Sequence, residues 1–166
     1  MRILTAVCLS AAALLHPAHA DPDRASILFG SHHANIQIEV EEVNPGFFLE
    51  WQIDNPPELL SMLSMDRSRK PSTVAGAFRN SFGDGALALA VSAPIYSVNA
   101  FELDLFGGAA WYPGNGERVA VAIGDIVPLL GVRAVYGNAF VLGFPGDGEN
   151  FDALFAFGLT FSLGGK

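Results

Sequence analysis

The stretch Asn150–Leu163, NFDALFAFGLTFSL, decides the fold. Its apolar residues fall on alternate positions, Phe151, Ala153, Phe155, Phe157, Leu159, Phe161 and Leu163, the two-residue period of a β-strand over a length that crosses a bilayer. The intervening Asp152, Leu154, Ala156, Gly158, Thr160 and Ser162 are mostly small or polar, so one face suits lipid and the other a narrow, filled lumen. A soluble sheet rarely exposes such a row of Phe. The expectation is an all-β fold, an eight-stranded antiparallel up-and-down transmembrane β-barrel, with Phe151, Phe155, Phe157 and Phe161 facing lipid.

Working back along the chain, seven further segments read as strands: 26–35, 46–54, 73–82, 86–96, 101–111, 124–136 and 138–144. Leu87, Leu89, Val91, Ala93 and Ile95 alternate with Ala86, Ala88, Ala90, Ser92 and Pro94; Phe101, Leu103 and Leu105 alternate with Glu102, Asp104 and Phe106. With eight strands the interior holds side chains or one slim ligand, which excludes a porin and disfavours a solute channel. Glu102, Asp104, Asp152, Arg79 and Arg133 are expected to be lumen charges that satisfy one another. Residues 55–72 are too long for a short barrel turn and leave room for a helix at 57–65, begun by Pro57 and Glu58.

The N-terminus carries basic Arg2, an apolar run from Ile3 to Leu15 and the small-residue site Ala18-His19-Ala20, which reads as a signal peptide over residues 1–20. Residues 21–166 then form one barrel domain exported to a Gram-negative outer membrane. The lone Cys8 leaves with the signal, so neither a disulfide nor a thiol nucleophile is expected. Seventeen acidic residues against nine basic ones give a net charge of −8, which disfavours nucleic acid as a partner. No cofactor or metal site is expected, and the expected partners of a monomer are membrane lipids, phospholipid and lipopolysaccharide. The chain ends in Leu163-Gly164-Gly165-Lys166 rather than on an aromatic residue, which keeps a soluble lipid-binding barrel open as an alternative.

Two polar clusters stand out: Ser31-His32-His33 near the end of the first strand and Arg79-Asn80-Ser81 near the end of the third. Both strands run in the same direction, so the clusters share one rim. An imidazole beside a hydroxyl can take its proton as the oxygen attacks an acyl carbon. Parity puts Ser81 on the inward face with Arg79 and Ala77 but does not decide between His32 and His33. Adjacent strand residues point to opposite faces, which argues against a two-histidine metal site.

The segments Ser31-His32-His33-Ala34, Asn44-Pro45-Gly46, Phe78-Arg79-Asn80-Ser81-Phe82, Pro128-Leu129-Leu130 with Val135-Tyr136-Gly137, and Phe144-Pro145-Gly146 together resemble the ordered landmarks of the outer-membrane lipid A palmitoyltransferases, the PagP type. The resemblance implies an eight-stranded barrel that moves an acyl chain from phospholipid to lipid A. It matches the family's His to His33 and its Ser to Ser81, and it places Asn80 where the family has Asp. An amide there can orient a neighbour but supplies no carboxylate to stabilise an imidazolium. The family's N-terminal amphipathic helix has no counterpart in the few residues between Asp21 and the first strand. The resemblance further implies that Pro128 and Pro145 interrupt strand pairing to open lateral access, and that Ser92 stands at the floor of the acyl pocket.

Two functions follow as expectations. The first is an acyltransferase-like barrel with His33 as general base, Ser81 as nucleophile or polarising hydroxyl and Asn80 as an orienting group. The second is a non-catalytic barrel that strengthens the membrane or presents its acidic loops to a partner.

Overall fold

Period-two alternation fixes which side chains turn inward, and in the computed structural model it closes eight antiparallel strands into one barrel in chain order. The structure describes residues 21–146 and 150–164; the expected signal peptide and Cys8 lie outside them. The strands are β1 (Arg24–Ala34), β2 (Gly46–Gln52), β3 (Ser72–Arg79), β4 (Gly85–Val98), β5 (Phe101–Trp111), β6 (Ile126–Tyr136), β7 (Ala139–Pro145) and β8 (Ala153–Ser162). A six-residue helix, α1 (Glu58–Leu63), interrupts the β2–β3 connection. Closure through the β1–β8 ladder leaves no sheet edge along most of the wall.

The two ends differ. At one end β4–β5 and β6–β7 turn tightly through Asn99 (φ 52°) and Gly137 (φ 59°), left-handed positions that two-residue hairpins demand. At the other end lie the longer connections that follow β1, β3, β5 and β7. Two ladders stop short of this second end: β1 pairs with β2 only from Arg24 to Leu28, and β6 pairs with β7 only from Val132 to Tyr136.

Register shifts reset the parity twice. In β1 the register slips between Leu28 and Gly30. Before the slip Ser26 and Leu28 are buried, and after it Ser31 and His33 are buried while His32 is exposed. A second slip, between Pro94 and Tyr96, turns Tyr96 and Val98 outward.

The lumen is layered. Its middle is filled by Leu28, Val74, Ala90, Phe106, Val135, Phe140 and Ala156, with Phe48, Phe78, Leu142 and Phe144 packed against them. Below, toward the tight turns, is a polar layer. Arg133 donates to both oxygens of Glu50 (2.7 and 3.0 Å) and to Asp104 (2.7 Å), while Ser72 and Ser92 donate to Glu50 and Asp104. From the β2–β3 connection Arg69 reaches in to Asp104 (2.7 Å) and Glu102 (2.8 Å), and Glu102 also holds Arg24. Buried charge is tolerated here because every carboxylate and guanidinium has a partner.

Several expectations are corrected. Arg79 and Asp152 are not lumen charges: Arg79 lies outside, paired with Glu41 at the rim, and Asp152 is exposed and accepts from Asn35. Ala77 is likewise outward, because the buried positions of β3 are Ser72 and Val74. Phe151 precedes β8 and does not join the outward row; its ring turns toward His33. Phe155, Phe157 and Phe161 do face outward. The inward face is not uniformly small, since large rings on β2, β3, β5 and β7 fill the middle.

Candidate functional site

The slip after Leu28 swings the His33 imidazole into the lumen mouth, where it is 4 % exposed. Ser81 sits two residues beyond β3, in the turn that leads to β4. Its Oγ lies 3.1 Å from His33 Nε2, so in the tautomer with Nε2 unprotonated the hydroxyl donates to the ring. The turn has its own support. Asn80, 1 % exposed, accepts from the backbone N–H of Phe82 (2.9 Å) and Asp84 (3.1 Å) through Oδ1.

Asn80 therefore orients the turn that carries Ser81, and no hydrogen bond joins it to His33 among the described residues. The edge of the His33 ring meets Phe151 at 5.3 Å and 88°. Ser31, two residues earlier on the same inward face, donates to Asn44 Oδ1. Three buried polar atoms here, His33 Nδ1, Asn44 Nδ2 and Asn80 Nδ2, have no hydrogen-bond partner among the described residues. Such atoms are rare in folded proteins, and here they belong to His33, to the partner of Ser31 and to the residue before Ser81.

The pair borders a cavity of about 340 Å³ lined almost wholly by apolar side chains, among them Tyr112, Val127, Leu129, Phe144, Phe151 and Leu154. On β6 both the inward Val127 and Leu129 and the outward Pro128 and Leu130 line it. The cavity thus passes over the free edge of β6, where the β7 ladder has stopped. Pro128 and Pro145 both border this opening, and neither has an N–H to offer the ladder. Burial pushes the Tyr112 phenol up to about 12, so it lines the cavity as a neutral hydroxyl.

Ser92 is elsewhere. It donates to Asp104 (3.1 Å) and accepts from Arg133 (3.2 Å) in the polar layer, separated from the cavity by the ring-filled middle. On β4 Ala86 and Ala90 are buried inward, but neither lines the cavity, and Ser92 is held by ionic partners. The floor nearest the cavity is instead Phe144, with Phe106 beneath it at a ring separation of 6.1 Å.

Sequence reasoning missed Phe151, Tyr112 and Asn44 as neighbours of the pair and Glu50 and Arg69 as members of the polar layer. Gly30, beside the slip, was the available signal for the parity change: a Cβ there would sit 2.4 Å from the Glu42 carbonyl oxygen. In a search of known protein families and of curated proteins, the chain matches neither a family nor a curated protein.

Proposed function

We propose that the chain is a bacterial outer-membrane barrel of the lipid A palmitoyltransferase type, whose His33–Ser81 pair transfers an acyl chain drawn sideways from a phospholipid to lipid A. The observation that carries this reading is the 3.1 Å contact between Ser81 Oγ and His33 Nε2 on the wall of an apolar cavity open over the β6 edge.

Membrane placement is supported by the outer wall. Ile27, Phe47, Leu87, Leu130, Val141 and Phe157 are exposed apolar residues on six different strands. Trp51, Tyr96, Tyr136 and Phe161 ring the tight-turn end, and Trp111 marks the other end. At 11 residues each, β5 and β6 run about 36 Å at ~3.3 Å per residue, or about 25 to 28 Å once tilted ~40°, the height of a hydrocarbon core.

In the reaction, His33 Nε2 takes the Ser81 proton as Oγ attacks the ester carbon of the phospholipid. The bond from that carbon to the glycerol oxygen breaks, and His33 returns the proton to the departing oxygen. A lipid A hydroxyl then attacks the acyl-serine, His33 takes its proton, and the same proton restores Ser81. The apolar cavity holds the chain meanwhile. A second reading, a barrel that binds acyl chains without transferring them, is favoured by His33 Nδ1, which has no hydrogen-bond partner among the described residues, so that no described carboxylate is bonded there to hold the imidazolium. Mass spectrometry of lipid A from cells with and without the expressed chain decides between them: an added acyl mass supports transfer, and an unchanged profile supports the binding barrel.

A further inference from the structure

The β2–β3 connection has no part in the proposed chemistry, yet it carries three of the most exposed apolar side chains on the molecule: Leu59 (69 %), Met62 (68 %) and Met65 (70 %). Leu59, Met62 and Leu63 fall at i, i+3 and i+4 of α1, so they share one helical face. Leu60, on another face, is buried, and α1 packs against β4.

That position follows from unequal strand lengths. β3 begins at Ser72, opposite Ser92, which leaves Ala93–Val98 of β4 without a β3 partner. The connection fills the gap: Asp66 N–H donates to the Pro94 carbonyl (3.1 Å), and Ser97 donates to the Asp66 carboxylate. Ala93 points outward by parity yet is only 2 % exposed. The connection that carries α1 therefore lies along the part of β4 that bears Tyr96 and Val98, themselves exposed at 52 % and 45 %. Beyond the helix Arg67 and Lys70 are exposed, Arg67 donating to the Ser61 carbonyl.

We infer that α1 is an interfacial anchor seated in the phospholipid leaflet at the tight-turn end, with Leu59, Met62 and Met65 in the acyl region and Arg67 among the phosphates. This rests on the membrane reading above. Continuity selects lipid as the occupant: the apolar face extends the exposed wall of β4 at the level of the aromatic ring formed by Trp51, Tyr96 and Tyr136, with a basic residue on the outer side. In water, such a face would be a liability.

The test is depth-dependent fluorescence quenching of the refolded full chain in phosphatidylcholine–phosphatidylglycerol vesicles brominated at shallow or deep acyl positions. Met62→Trp, in a Trp51→Phe, Trp111→Phe background, should be quenched several-fold more by shallow than by deep bromines. A Trp51→Phe protein, which keeps Trp111, serves as the barrel control. If Trp111 is quenched in the control and the indole introduced by Met62→Trp is not, the anchor is overturned while the membrane barrel stands. If neither is quenched, the membrane reading itself falls, and the anchor with it. Efficient disulfide-linked dimers of Met62→Cys, Cys8→Ser in dilute vesicles, together with an unquenched indole in the Met62→Trp protein, would assign the face to a second copy instead. Leu59→Gln, Met62→Gln, Met65→Gln combined should keep the heat-modifiable mobility of a folded barrel in detergent yet insert several-fold less into vesicles; full insertion would also count against the anchor.

Discussion

The two ends of this lumen treat polarity in opposite ways. At the tight-turn end Glu50, Asp104, Arg133, Arg69, Glu102 and Arg24 are each bound to an oppositely charged neighbour. At the other end a buried imidazole keeps one ring nitrogen unpartnered among the described residues, two buried amides do likewise, and an apolar cavity opens through a broken ladder. A saturated network specifies and stiffens a structure; an unsaturated one beside a cavity stays free to meet something else. On the proposed reading, one end supplies stability and the other chemistry.

The hardest test of that division is to remove the chemistry. His33→Ala should lower transfer by at least about 10²- to 10⁴-fold, the usual worth of a positioned acid–base group, and Ser81→Ala, which removes the nucleophile, by more, both read as loss of the added lipid A mass. The folded barrel should persist on gels, since neither change touches the ring-filled middle. Breaking the other end should do the reverse. Arg133→Met leaves Glu50 and Asp104 buried beside fewer cations and should cost about 3 to 5 kcal/mol in denaturant unfolding. Transfer by the molecules that do fold should be little changed; comparable losses of activity from both ends would erase the distinction.

Two smaller effects sharpen it. Phe157, outward near the middle of β8, should impair insertion by about 2 to 4 kcal/mol when replaced by Arg, measured as the shift in folding equilibrium in vesicles. Asn80→Asp is the subtlest. Because Oδ1 holds the turn N–H groups and not the imidazole, activity should change by less than about tenfold, roughly 1.4 kcal/mol. A larger gain would mean that a carboxylate at this position does reach the histidine.

The strands were legible because period two survives any change of partner: Phe101–Trp111 coincides with β5 at both ends, and Phe155, Phe157 and Phe161 face out as their spacing requires. What alternation does not carry is an inserted residue. One extra position near Phe29 exchanges the faces of everything after it, so sequence parity could not choose between His32 and His33. Ser81 was placed inward by a parity that ends at Arg79; it reaches the histidine because the chain has already turned. The ionic layer was half visible. Asp104 and Arg133 lie on recognisable strands, but Glu50 is 83 residues from Arg133, and Arg69 arrives from a connection whose path no local pattern specifies.

The cavity reaches the free edge of β6, where outward Pro128 and Leu130 line it beyond the end of the β7 ladder. On the proposed reading, donor lipid reaches His33 by two-dimensional diffusion, and its effective concentration is a mole fraction within the leaflet rather than an amount per volume. Diluting the donor with an inert lipid at constant total concentration should therefore slow turnover in proportion, whereas diluting the whole suspension of vesicles with buffer should leave the rate per vesicle unchanged. On that reading the barrel would respond to the composition of the leaflet and ignore the size of the compartment around it.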